Sequence, residues 1–167
     1  MKAEKRHAVY LLFGSNLGDR VLHVQSAMKS VHEQIGEAQK KSSIYETEPW
    51  GVSDQPNYLN AAMSILTNHS PQQLLTLLKQ IEIDEGRTDQ KKYASRTLDI
   101  DILFYEDLIL QTDSLIIPHP KLKERRFALV PLLEIAHDFI HPVIKKSIAQ
   151  LLEECNDHLS VTKLVQQ

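Results

Sequence analysis

The chain of 167 residues contains one cysteine, Cys155, so it forms no intramolecular disulfide and suits a reducing compartment. It has no long apolar run. The stretch after His7 is too short for a signal or a membrane span, so the expected setting is cytoplasmic, with no membrane partner. It has no excess of positive charge either: the formal net charge is −3, which argues against nucleic acid as a partner. No repeat, low-complexity tract or linker interrupts the pattern, so 1–167 reads as a single domain. At this length folding buries about 70% of the unfolded surface, enough to need no covalent staples. The segment Gly14-Ser15-Asn16-Leu17-Gly18 lacks the Gly-Lys-Ser/Thr ending of a P-loop and is not G-x-G-x-x-G. It reads as a tight turn, and any nucleotide must be held another way.

What is present is concentrated in Leu98-Asp99-Ile100-Asp101-Ile102-Leu103-Phe104, which has the period of a strand. Leu98, Ile100, Ile102 and Phe104 are predicted to face one way and Asp99 and Asp101 the other. At ~3.3 Å per residue the two Asp Cα atoms lie about 7 Å apart, close enough for their carboxylates to converge on divalent cations. The plainer reading is a solubilised outer face. Such a pair repels by roughly 2 kcal/mol at an effective dielectric near 20, a cost that Arg96 would offset. Two cationic clusters stand out in an otherwise acidic chain: Arg87, Lys91, Lys92 and Arg96, then Lys121, Lys123, Arg125 and Arg126. Solvated faces are the usual meaning of such runs, but the first abuts the Asp pair, an arrangement for a small polyanion bridged by metal.

The element order follows from periodicity and punctuation. A buried strand over 8–13 ends at Gly14, and a helix carries Leu17, Val21, Val24, Met28, Val31 and Ile35. A strand over 41–47, a loop over 48–56 and an alternating strand over 58–66 come next. Ser70-Pro71 opens a second helix, with Leu74, Leu78 and Ile81 on its apolar face and Gly86 past its end. After the Asp-bearing strand, an irregular stretch runs through Pro118-His119-Pro120. Short helices are expected near 125–129 and from Pro131, and a last one over 147–155. The order β-α-β-β-α-β predicts an α+β fold: a ferredoxin-like sandwich whose mostly antiparallel sheet carries helices on one face, with additional C-terminal helices. The tail after Pro142 has no assignable motif.

Other candidates are weaker on the residues alone. Tyr58, Asn60, Ala62 and Ser64 share a face on which an aromatic and an amide suit a flat heterocycle, though a surface Tyr and a capping Asn fit equally well. His119, stiffened between prolines, is either a phosphate donor or an exposed turn histidine. His137 and His141 stand four apart, but no third ligand or H-E-x-x-H pattern makes them a zinc site. Arg87 follows a helix C-terminus, where the dipole favours a cation in any case.

Taken together, the residues from about Tyr10 to Pro142 resemble the 6-hydroxymethyl-7,8-dihydropterin pyrophosphokinase family of folate biosynthesis. The resemblance rests on Lys92-Tyr93-Ala94-Ser95-Arg96-Thr97-Leu98-Asp99-Ile100-Asp101-Ile102-Leu103, with Gly14-Ser15-Asn16, Asp54-Gln55-Pro56, Tyr58-Leu59-Asn60, Gly86-Arg87, Pro118-His119-Pro120 and Arg125 through Phe127 in the family's order. It implies transfer of the pyrophosphoryl group of the co-substrate ATP to the pterin hydroxymethyl oxygen, with release of AMP. Asp99 and Asp101 would hold two Mg²⁺ ions, and Arg87 and Arg96 would be catalytic, stabilising phosphate charge. His119, Arg125 and Glu82 match nucleotide positions. Thr47, Trp50, Tyr58, Asn60 and Phe127 match pterin positions, and Tyr93 is a candidate stacking lid. The segment 86–95, nearly devoid of apolar area, is expected to close over bound triphosphate. This chain departs from the family at Tyr93-Ala94-Ser95, where many members carry Trp-Gly-Pro, and at Glu48, where proline is common. A non-catalytic ligand-binding module and a different Mg-dependent nucleotidyl or phosphoryl transferase are the alternatives. No protein partner is assigned by the sequence.

Overall fold

Strand β1 (His7–Ser15) alternates between two buried layers, with Val9, Leu11 and Phe13 in one and Leu12 in the other. A computed structural model describes this chain over residues 5–48, 56–86 and 97–165. β1 runs past its predicted end, because β4 (Tyr58–Thr67) pairs with it as far as Gly14↔Asn60 and Ser15↔Leu59. Its other edge pairs with β5 (Asp99–Tyr105). Helix α1 (Arg20–Gln34) starts later than its periodicity predicts and leaves Leu17 outside and exposed. Asp19 takes the cap, its Oδ1 accepting the Leu22 N–H at 3.1 Å. The predicted strand over 41–47 is in fact two, β2 (Glu37–Lys41) and β3 (Tyr45–Thr47), both antiparallel to β4. Ser42 interrupts them by spending its hydroxyl on the chain, accepting the Ala62 N–H and donating to the Ser43 carbonyl.

Helix α2 (Pro71–Asp84) forms as its caps predict: Ser70 and Gln73 make a capping box, Leu74, Leu78 and Ile81 are buried, and Gly86 follows at φ +96°. The stretch expected to be irregular contains a small hairpin, β6 (Leu110–Gln111) with β7 (Ile116–Ile117), and a 3-10 turn at Leu122–Glu124. Where two short helices were predicted, a single helix α3 (Arg126–Ala136) runs through Pro131. Burial of Leu129, Pro131, Leu132 and Ile135 outweighs the hydrogen bond that proline removes. Helix α4 (Ile148–Glu153) is capped by Ser147. The motif-free tail supplies β8 (Val161–Lys163), which pairs with β3.

The strands order as β5-β1-β4-β3-β8, with β2 also on β4, and every described pairing is antiparallel. Helices cover both faces, not one. Residues of α1 and α2 pack on one layer with Leu11, Phe13, Met63 and Ile65, and residues of α3 and α4 pack on the other with Leu12 and Ala62. The alternation of β5 also breaks where strict period two was predicted. Leu11 pairs with Ile102 but Tyr10 with Phe104, so Leu103 is an extra, bulged residue. Ile100 and Ile102 stay in the α1/α2 layer, whereas Leu103 and Phe104 both enter the α3/α4 layer. There Phe104 meets Phe139 at 4.5 Å between centroids.

A polar clasp joins α3 to the outer strands. Glu134 accepts from the Ser43 N–H at 3.0 Å, the Ser43 hydroxyl at 3.2 Å and the Tyr45 hydroxyl at 2.8 Å. Burial alone would raise this carboxyl. The Ser43 and Tyr45 hydrogen bonds, with Lys163 nearby, outweigh it and hold the group below its ordinary 4.5. Tyr45 moves the opposite way, pushed up to about 12 by burial and then by its bond to Glu134 and that charge. A carboxyl held below its ordinary value adds stability that is present in full above that value and lost as pH falls through the folded value. Glu134→Gln is therefore expected to cost less than about 1 kcal/mol of stability at neutral pH, since the group is exposed, and to lower the thermal midpoint accordingly. The gap between the two melting curves should close as pH falls below 4.5. A gap that persists unchanged in acid would rule out the charge as its source.

Candidate active site

The antiparallel register sets polar residues in rows across the α3/α4 face. Asp99 of β5 lies opposite Gly14 of β1, and Gly14 opposite Asn60 of β4, which pairs in turn with Tyr45 of β3. The next row inward runs Asp101, Leu12 and Ala62, of which the last two belong to the α3/α4 core. Cross-strand partners project to the same side, so both carboxylates and Asn60 share one surface. It lies beside the start of α3, where Phe127 packs on that same core and the Arg125 Cζ sits 5.6 Å from the Phe127 ring centroid. Tyr58 pairs with Thr47 at the outer end of this face.

Asn60 and Thr47 are buried, and Asn60 Nδ2 donates to Thr47 Oγ1 at 2.8 Å, which fixes the orientation of the amide. Gly14 makes room for it: a Cβ at that position would come within 2.8 Å of Asn60 Oδ1. The glycine expected to end a strand thus serves a cross-strand side chain from within it, a use that a glycine inside an apolar run signals. Beyond it, Asn16 is buried and Nδ2 donates to the Pro56 carbonyl at 3.1 Å, which ties the turn to the entry of β4.

The backbone N–H of His119 donates to the carbonyl of the bulged Leu103 at 3.1 Å, and the ring lies within range of the Asp101 charge. Burial lowers its pKa; the charge of Asp101 opposes that shift, and Arg125 and Lys121 reinforce it. Its Nδ1 accepts the Lys121 N–H at 3.2 Å, so in the neutral ring Nε2 carries the proton and is the donor. Glu82, expected on the nucleotide side, is buried, and its Oε2 accepts the Ile100 N–H at 2.7 Å, between the two Asp positions. Arg87, Tyr93, Arg96 and Trp50, and the expected closure of 86–95, lie outside the described residues, Gly86 apart. His137 and His141 do not converge. His137 is exposed beside Asp138, while the buried His141 uses Nδ1 to accept the Val143 and Ile144 N–H groups.

Asp99 and Asp101 are half-buried hard-oxygen donors two residues apart on one strand face. Among the described residues no group of three or more His, Cys, Asp or Glu side chains gathers as a metal cage. The donor set of Asp99 and Asp101 fits Mg²⁺, which binds through one or two carboxylates and keeps water or substrate phosphate as its other ligands.

Known proteins resemble this chain in sequence and in fold. The family model for 7,8-dihydro-6-hydroxymethylpterin-pyrophosphokinase matches residues 10–137. The 2-amino-4-hydroxy-6-hydroxymethyldihydropteridine pyrophosphokinase of Aquifex aeolicus is 40% identical over 146 residues, 87% of this chain and 91% of that protein. The protein of the same name in Bacillus subtilis is 43% identical over 127 residues, 75% and 76% of the two chains. The folic acid synthesis protein fol1 of Pneumocystis carinii is 41% identical over 151 residues, 90% of this chain but 20% of that one. Among solved structures, Plasmodium falciparum HPPK-DHPS A437G with STZ-DHP superposes with a TM-score of 0.76 at 16% identity, covering 92% of this chain and 46% of that one. An HPPK-DHPS in complex with substrates gives 0.72 at 16% identity, covering 89% and 43%; at these identities the likeness is one of fold. This chain is thus a pyrophosphokinase of folate biosynthesis, and it belongs to the 7,8-dihydro-6-hydroxymethylpterin-pyrophosphokinase family.

The contact between Gly14 and Asn60 is directly testable. Gly14→Ala is expected to displace the amide and break its bond to Thr47, costing roughly 1–2 kcal/mol in urea unfolding. In an Asn60→Ala background the same change should cost no more than a few tenths. Equal costs in the two backgrounds would show that Gly14 serves something other than Asn60.

Proposed function

We propose that the row Asp99, Gly14 and Asn60, with Asp101 and His119 one step inward, is the line along which ATP meets the pterin. Family membership supplies the reaction: the pyrophosphoryl group of ATP passes to 6-hydroxymethyl-7,8-dihydropterin, and AMP is released. The observation that carries the residue roles is the shared register, which sets a two-carboxylate platform beside a buried amide on one rigid sheet face.

In this reading Asp99 and Asp101 hold two Mg²⁺ ions, which when bound neutralise phosphate charge and favour in-line transfer. Asn60, its amide fixed by Thr47, hydrogen-bonds the edge of the pterin. Phe127 and Tyr58 flank the ring, and Trp50 and Tyr93, which lie outside the described residues, are proposed as further pterin contacts, Tyr93 as a stacking lid. The pterin hydroxymethyl oxygen bonds to the β-phosphorus as the bond from that phosphorus to the oxygen of AMP breaks, and the hydroxyl proton is lost. His119 donates from Nε2 to a phosphate oxygen, and Arg125, Arg87 and Arg96 balance phosphate charge. Glu82 serves the nucleotide side, its carboxylate also holding the β5 backbone between the two Asp residues.

The order β5-β1-β4 with β2 and β3 beyond, and α1 and α2 together on one face, supports a ferredoxin-like core. Residues 1–167 are taken as one catalytic domain. No helix among the described residues is long and apolar enough to cross a membrane, and a cytoplasmic setting is proposed on that and the lone cysteine.

The test is incubation with ATP, Mg²⁺ and the hydroxymethyl pterin, followed by chromatography. AMP and a pyrophosphorylated pterin are expected in equal amounts; ADP with a monophosphorylated pterin would sink the reading. Asp99→Asn and Asp101→Asn should each lower turnover by at least about a hundredfold. Their thermal midpoints should stay level or rise, because removing one of two like charges relieves repulsion. Near-native turnover in both variants would overturn the metal assignment. Asn60→Ala should weaken binding of a pterin analogue by about 1–3 kcal/mol in calorimetric titration and leave that of a non-hydrolysable ATP analogue much less changed.

A further inference from the structure

The C-terminal segment lies beyond residues 10–137 matched by the family model, yet it touches both sides of the candidate pterin site. Helix α3 begins at Arg126, and Arg125 in the cap position has no side-chain acceptor to offer. Asp157, 31 residues away, supplies one, with Oδ2 accepting the Arg126 N–H at 3.0 Å. Its Oδ1 accepts the Leu159 N–H at 3.0 Å, which orders the turn that follows. Three residues on, Ser160 grips Glu48 through two bonds: its N–H donates to Glu48 Oε1 at 2.6 Å and its carbonyl accepts the Glu48 N–H at 3.3 Å. β8 then continues the ladder on β3, with Val161 opposite Thr47. Leu164 N–H donates to the Ile44 carbonyl at 2.8 Å beyond it.

Three residues of chain span at most about 10 Å, so Asp157 and Ser160 limit how far the Arg126 backbone can move from that of Glu48. Phe127 follows the first of these and Thr47 precedes the second. We propose that the segment from Asp157 to Leu164 is a strap that sets the width of the pterin site, with Asp157 and Glu48 as positioning residues at its two ends. The inference rests on the pterin reading above and adds to it two residues that touch no substrate. A carboxylate at a helix N-terminus satisfies orphan donors and the dipole together, and Asn provides the first of these without the charge.

The experiment is a double-mutant cycle on the full chain, read by calorimetric titration with a pterin analogue and by steady-state kinetics. Asp157→Ala and Glu48→Ala are each expected to weaken analogue binding and raise the pterin KM about tenfold, with kcat within about twofold of wild type. The double variant should be no weaker than the worse single one, because either change releases the same strap. Asp157→Asn should bind within about twofold of wild type, since the cap survives. Effects that multiply in the double variant, or an Asn no better than Ala, would overturn the strap. So would wild-type affinity with only a lowered melting temperature. Glu48→Ala removes no helix cap and gives the same decision if Asp157→Ala does not fold. A wild-type chain that binds no pterin analogue overturns the functional reading and this one with it; a wild type that binds while all variants match it overturns the strap alone.

Discussion

The antiparallel pairing of β1 with β4 on one edge and β5 on the other is the constraint on which the rest of the molecule depends. Backbone hydrogen bonds set strand separation and register together, so once Gly14 is opposite both Asn60 and Asp99, the distance between amide and carboxylate is a property of the sheet. A slip of one residue in either pairing would send every side chain of that strand to the other face, exchanging Asp99 and Asp101 for Ile100 and Ile102. The penalty is large, because the α1/α2 layer receives Ile100 and Ile102 among its buried residues. Core packing therefore protects the register that the polar row requires.

The bulge at Leu103 reconciles two demands on a single strand. Toward its start, β5 keeps apolar residues on the α1/α2 side and carboxylates on the other. Toward its end both faces are buried, and Leu103 and Phe104 fill the α3/α4 layer while Tyr105 returns to the first. An extra residue changes the phase between the two halves without ending the strand. The carbonyl of the bulged residue holds the His119 backbone, so the irregularity that completes the core also brings an imidazole within range of the Asp101 charge.

The outer strands are short and would be weak alone. β3 spans three residues, and its stability comes from groups distant in sequence: β4 and β8 on its edges, the Glu134 carboxylate on its tyrosine, and the Arg20 guanidinium on Glu46 at 3.0 Å. Thr47 thus sits on a strand braced from several sides, consistent with its hydroxyl orienting Asn60. β8 covers an edge that would otherwise offer unpaired backbone groups.

Features whose physical cause is local could be read directly along the chain. Ser70-Pro71 with Gln73 specifies a helix start, Gly86 its end, and the alternation from Leu98 to Ile102 a strand with two carboxylates on one face, because each depends on residues within a turn or two. The family was legible too, from ordered motifs, and so was the shared face of Asp99 and Asp101, though not the register that sets Asp99 and Asn60 on either side of Gly14. Tertiary structure decided what depends on distant partners: the phase change at Leu103 needed the α3/α4 core, and Gly14 acquired its role only opposite Asn60. α3 could run through Pro131 only because that helix face is buried. The tail became a strand because β3 presented an open edge, and Asp157 a helix cap because α3 begins with residues that cannot cap themselves. Sequence carries period and punctuation, which act through neighbouring dihedrals; register, bulges and long-range caps are chosen by which backbone and apolar groups are left unsatisfied once the elements meet.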